Sequence, residues 1–130
     1  MVLYGVALLP LIKHMRAEDR SVLQPWYADD AAMQGRAQRQ AKLLRRLSAL
    51  GPAHGYFPEP KKSIYVCREE DEAAARAAFE AEGLAVRFSR GTRYVGGFVD
   101  NNESLREWVA PQVVGWASGV RALAHVARRF

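Results

Sequence analysis

Sulfur can do little to hold this chain together, because its 130 residues include one cysteine, Cys67. A single thiol excludes an internal disulfide and a thiolate-rich zinc site, and an intracellular setting fits that usage. Cys67 closes an apolar strand and reads as a small buried hydrophobe. His14, His54 and His125 stand too far apart for metal-ligand spacing and read as structural or surface residues. Long hydrophobic runs are missing too. The apolar opening from Val2 to Ile12 falls short of the roughly 20 residues a membrane-spanning helix needs. It has no basic region before it and no small-residue cleavage site after it, so it reads as a buried helix. There is no low-complexity tract, internal repeat or linker marking a second complete domain.

What is present is the balance of an ordinary globular chain, 49% hydrophobic and 25% charged. Nineteen Lys and Arg against fourteen Asp and Glu give a net charge of +5, which draws polyanions such as nucleic acids or phosphate-bearing ligands.

The apolar spacing predicts a helix over residues 2–16, kinked or restarted at Pro10. Val22 to Trp26 reads as a short strand, Asp29-Asp30 as a turn, and Ala31 to Met33 as the returning strand of a tight hairpin. A helix follows from Arg36 to Leu50. Its stripe of Leu43, Leu44, Leu47 and Leu50 is apolar, while Arg39, Lys42, Arg45 and Arg46 lie mostly off it. Gly51-Pro52 is expected to stop it. Ser63 to Cys67 reads as a strand and Glu69 to Glu82 as a helix with acids at its front end, ended by Gly83. Alternation through Leu84, Val86 and Phe88 predicts a strand, Arg90-Gly91-Thr92 a turn, and Arg93 to Val99 a second strand paired with the first. The rest, from Glu103, reads as helical with a break near Pro111. That order is an α+β pattern.

The stretch richest in chemistry is Tyr27-Ala28-Asp29-Asp30. Neighbouring side chains in a strand point to opposite faces, so two adjacent aspartates reach one metal centre only where the chain turns. Placed there, they suit Mg²⁺ (or Mn²⁺), a hard cation that keeps positions for water and phosphate. Two such ions about 4 Å apart stabilise the attacking and leaving oxygens of phosphoryl transfer. The plainer reading is a turn whose carboxylates satisfy backbone amides.

Tyr27-Ala28-Asp29-Asp30 resembles the palm metal motif of reverse transcriptases, in the form common among group II introns, retrons and non-LTR retrotransposons. Segments in the family's order follow it. Leu43-Leu44-Arg45-Arg46-Leu47 before Gly51 is similar to the palm helix after the catalytic hairpin. Gly55 to Ser63, with Lys61-Lys62-Ser63, resembles the motif in which a lysine opens a strand. Tyr94-Val95-Gly96-Gly97 resembles the primer-grip hairpin, and the last helices, with Trp108, Trp116 and Ala127, resemble the start of the thumb. Even the first helix, with Pro10, is similar to the segment after the family's Gln-Gly motif.

This resemblance implies an RNA-directed DNA polymerase that adds deoxynucleotides to a DNA primer on an RNA template. Asp29 would be a metal ligand and Asp30 a supporting acid, and Tyr27 and Ala28 would shape the turn beside the primer terminus. Lys62 would serve the phosphates of the deoxynucleoside triphosphate, and Tyr94, Gly96 and Gly97 would meet the primer. The implied layout is a partial palm over residues 1–100, a ferredoxin-like split βαβ sheet without its first strand, then a thumb-like segment over 101–130.

Without context, Lys61 and Lys62 are solvated lysines at a strand end, and Gly96-Gly97 is a bulge beside the core. The basic residues from Arg36 to Arg46 read as the wet face of an amphipathic helix, and the three tryptophans as packing residues. The family's first metal-binding aspartate, its Gln-Gly motif and its fingers have no counterpart here, since no acid precedes Glu18. The expectation is a fragment inactive by itself, marginally folded, and completed by an N-terminal palm and fingers segment. Two alternatives remain, a small basic nucleic-acid-binding module without catalysis and another palm-type nucleotidyl transferase.

Overall fold

The computed structural model describes residues 2–27, 30–100 and 102–128, apart from the side chains at positions 2, 100 and 102–104. The chain is α+β and divides into two compact units, residues 1–65 with 69–88, and residues 66–68 with 89–130.

The first unit opens with α1 (Val2–Ala7) and α2 (Leu9–Glu18), and Pro10 in the first turn of α2 shows that the proline restarts the helix. Proline suits that position, where its missing N–H would have no helical partner. Leu8, Leu11 and Met15 are fully buried, and they meet Leu43 and Leu47 of α3 (Ala37–Leu50) in one apolar cluster with Ile12 and Val22. Trp26, Met33, Leu44, Leu50 and Tyr56 pack around it. The leucine stripe therefore does what its spacing requires, with the basic side chains of α3 left exposed.

Gly51 does not end α3 in a left-handed turn. The chain tightens into a 3₁₀ turn over Gly51–His54, and Gly55 supplies the positive φ of 72°. Gly51 is constrained by crowding: a Cβ there would strike the carbonyl oxygen of Tyr56, whose N–H donates to Gly51 O at 3.0 Å.

The hairpin between α2 and α3 is shorter than its sequence suggests. Its strands are β1 (Trp26–Tyr27) and β2 (Asp30–Ala31), with Trp26 opposite Ala31 and Tyr27 opposite Asp30. Val22 to Pro25 does not join the ladder continuously, since Pro25 has no N–H to donate. Leu23 forms an isolated bridge to Gln34, and the Pro25 carbonyl accepts from Ala32 N.

A second turn, Pro60–Lys62, leads into β3 (Ile64–Val66), followed by α4 (Glu69–Ala81) and β4 (Arg87–Ser89). Four acids crowd the first turn of α4, where the helix dipole favours them. Gly83, at φ 69°, turns the chain back. Strand β4 pairs with β3, which corrects the expected hairpin between the strand at 84–89 and the one after it. Arg87 N donates to Ser63 O and Cys67 N to Ser89 O, so residue numbers rise together on both strands, as in a parallel pair. Phe79 of α4 meets Tyr65 edge-on at 5.0 Å and Phe88 at 6.0 Å, closing a second small core with Ala41 and Leu84.

In the second unit the hairpin is formed by β5 (Gly91–Tyr94) and β6 (Gly97–Asp100). Its turn is Val95-Gly96, both at positive φ, 48° and 81°, whereas the sequence placed a turn at residues 90–92. A β-branched residue disguises such a turn, because valine disfavours positive φ. Helix α5 (Asn102–Ala127) runs through Pro111 with no break. Proline removes one helical bond there, and the turns on either side hold. Among the described residues no helix is long and apolar enough to cross a membrane.

Candidate functional site

The β1–β2 hairpin rises from a well-anchored root. Leu23 and Gln34 exchange backbone bonds of 2.9 and 2.8 Å, and Ala32 N donates to Pro25 O at 3.0 Å. Trp26 leans on the apolar cluster and tilts against Tyr56 at 5.5 Å. Gln24 is buried and donates to Met15 O at 3.1 Å, while its own carbonyl accepts from Arg16 at 3.2 Å. Two buried atoms at this root, Gln24 Oε1 and Trp26 Nε1, find no partner among the described residues.

Above the root, Tyr27 is 60% exposed and Asp30 is exposed, the two facing each other across the ladder. Ala28 and Asp29, the two residues joining them, lie outside the described residues. Nothing among the described residues caps the Asp30 carboxylate, and it does not lie in a helix. Asp30 stands on β2, at the edge of the turn and not within it as its sequence suggested. A complete donor set is another matter: among the described residues no group of three His, Cys, Asp or Glu could hold a metal ion. A divalent cation takes about six oxygen ligands, and although water supplies some, one described carboxylate is too few for a two-metal centre.

Lys62 ends the 3₁₀ turn before β3, exposed, with Nζ donating to Glu59 Oε1 at 2.9 Å. It lies in the same unit as the hairpin. Lys61 is exposed beside it. Tyr94 and Gly97 face each other as the closing pair of the β5–β6 hairpin, with Gly96 in the turn. These three belong to the second unit. On the same hairpin Arg93 faces Phe98, which stacks on Trp108 at 5.2 Å, and the Arg93 guanidinium lies 5.9 Å from that indole ring. Trp108 thus packs as expected, but Trp116 is 62% exposed on an uncovered face of α5, contrary to its reading as a packing residue. Cys67 is half-buried and not fully enclosed.

An ionic junction between α2 and α3 is not legible in the sequence. Glu18, the last residue of α2, accepts from Arg46 at 2.9 Å and contacts His14 at 3.0 Å. Asp19 takes Ser21 N and Oγ at 2.9 and 2.6 Å and Arg39 at 3.2 Å. The hydrogen bond from Arg46, then that from His14, holds the Glu18 carboxyl below its ordinary range. Bonds from Ser21, with Arg39 beside them, do the same for Asp19. Adjacency in sequence marks the two acids, but their partners are 20 and 28 residues away. Arg39 and Arg46 are thereby engaged within the chain, which leaves Arg36, Lys42 and Arg45 as the freer cations of that face.

A scan of protein-family models matches none to this chain, and comparison with curated proteins and with solved structures returns no significant match.

Proposed function

We propose that this chain carries the metal-turn half of a reverse-transcriptase palm, acting in templated deoxynucleotide addition together with a segment that supplies further carboxylates. The observation that carries this reading is the pairing of Tyr27 with Asp30 around a two-residue connection, with the acid exposed and α3 following directly. The order after it supports the same reading: helix, lysine-led strand, helix, strand, glycine-turned hairpin, long helix.

Further support comes from what is left unfilled. The β1–β2 and β3–β4 sheets have two strands each, so their outer edges have no strand partner among the described residues. Small two-stranded sheets are marginal, and parallel ones are normally central in larger sheets. Gln24 Oε1 and Trp26 Nε1 add an unmet acceptor and donor at the hairpin root, each costing about 1–3 kcal/mol if left so. An adjoining strand would relieve both kinds of deficit. In that assembly Asp29 and Asp30 would help hold Mg²⁺ or Mn²⁺, Lys62 would approach the triphosphate after leaving Glu59, and Tyr94, Gly96 and Gly97 would lie along the primer.

The test is the transcript read upstream of the Met1 codon. The expected result is an open frame encoding a Gln-Gly motif and, before it, a strand with an aspartate. The longer product should extend oligo(dT) on poly(rA) with dTTP and Mg²⁺, and Asp29→Asn or Asp30→Asn should abolish extension. A stop codon or unrelated coding sequence upstream refutes the reading. A second reading, a basic nucleic-acid-binding module without catalysis, is favoured by the net charge of +5 and by the exposed Arg36, Lys42 and Arg45 on and just before α3. Binding of single strands by this chain, without extension by the longer product, would select it.

A further inference from the structure

Helix α5 is 26 residues long, about 39 Å at 1.5 Å per residue. Its N-terminal part is held by the stacking of Phe98 on Trp108. Farther along, Val113, Trp116, Val120 and Leu123 are 49, 62, 66 and 72% exposed. They are not scattered. Val109, Val113, Trp116, Val120, Leu123 and Ala127 follow one another by alternating steps of four and three, the seven-residue rhythm of a coiled-coil seam.

We propose that α5 pairs in parallel with α5 of a second copy of this chain, through the seam from Val109 to Ala127. One seam position holds Val113, Val120 and Ala127 and the other Val109, Trp116 and Leu123, and β-branched residues at the first position are a feature of two parallel strands. One flank repeats alanine at 110, 117 and 124, which lets two helices approach closely. The other flank, Gln112, Gly119 and Val126, is also uncharged, so no charge pattern selects a different partner or repels an identical one. Covering the exposed seam on both copies removes on the order of 1,000 Å² from water, the lower bound for a specific interface.

The helix has a reason to need such cover. Pro111, Gly115, Gly119 and five valines between 109 and 126 are all poor helix formers, yet the helix is continuous. Helices of low intrinsic propensity are held by packing.

Sedimentation velocity of the full chain tests the pairing. A concentration-dependent dimer with a dissociation constant in the micromolar range is expected, and a chain that stays monomeric up to about 100 µM overturns the proposal. Val120→Asp should weaken the dimer at least about 100-fold, as a charge buried in a seam does. Val114→Glu, 70% exposed but off the seam, should leave it intact. A dimer indifferent to Val120→Asp, or equally broken by Val114→Glu, also overturns it. A second readout needs no disruptive change. In a Cys67→Ser background, Val120→Cys should cross-link copy to copy under mild oxidation, because parallel pairing sets position 120 against itself. Val114→Cys should not, and equal cross-linking at both positions contradicts the seam.

Discussion

Replacing Leu47 by alanine probes whether the α2–α3 core and the acidic hairpin form one cooperative body. Leu47 is 1% exposed and shares its cluster with Leu8, Leu11, Met15, Val22 and Leu43. Deleting a leucine side chain at such a site costs about 2–5 kcal/mol, the transfer loss plus the cavity left behind. A value of about 3 kcal/mol, within that range, is taken for a fully enclosed site of this kind. With a urea slope of about 1–1.5 kcal/mol/M, the midpoint should fall by about 2–3 M. Because Trp26 rests on the same cluster, hydrogen exchange at the Leu23 and Gln34 amides should quicken about 100-fold, the same energy read at the hairpin root. Val114→Ala, at a largely exposed position, should shift the midpoint by less than about 0.5 M. Equal shifts for the two variants would refute the core assignment. A large midpoint shift with unchanged exchange at Leu23 and Gln34 would show the hairpin to be independent of the helices beneath it.

Other expectations follow from single features. Val95→Asn should stabilise the β5–β6 hairpin by about 1 kcal/mol, since asparagine followed by glycine suits two positive φ angles, and a lower melting temperature would contradict this. Gly51→Ala should destabilise the first unit by more than about 2 kcal/mol, because its methyl meets the Tyr56 carbonyl; an unchanged urea midpoint would count against that close approach. Glu18 and Asp19 have lowered folded pKa values, so their contribution is fully present above about pH 5 and is lost as the pH falls through those values. Arg46→Ala should therefore flatten the acid side of a melting-temperature profile, and an unaltered profile would show that the Glu18 contact contributes nothing. The chain alone should melt below about 60 °C, and a sharp reversible transition above that would speak against its unfilled sheet edges being a burden.

Helices were the most legible elements, because their information is local. The leucines of α3 and the acids of α4 announce one face and one end, and both elements lie within a residue or two of their expected bounds. Pairing was less legible. Nothing near Leu84 to Phe88 says that β4 lies beside β3, across a helix, rather than beside its neighbour in sequence. Arg90-Gly91 has the composition of a turn, whereas the true turn includes a valine in a conformation valine disfavours. Pro111 suggested a break because the local penalty is plain and the compensating turns around it are not. Of the candidate site, Asp30 lies on β2 opposite Tyr27 and not in the turn its sequence suggested, because the connection is only two residues long, and Lys62 stands just before its strand. Its bond to Glu59 was not foreseen, although the spacing of three residues allowed it. The Glu18–Arg46 and Asp19–Arg39 contacts join distant parts of the chain, and no local pattern encodes such partners.

That junction bears on how the hairpin is held. One carboxylate held by both His14 and Arg46, with its neighbour held by Arg39, ties the end of α2, where the chain leaves for the hairpin, to the exposed face of α3, to which it returns. The β1–β2 ladder is thereby tied to the two helices through the Leu23 and Gln34 bonds, like a short tongue on a fixed jaw. Acidification or high salt, which loosens the clamp, would let the jaw itself swing.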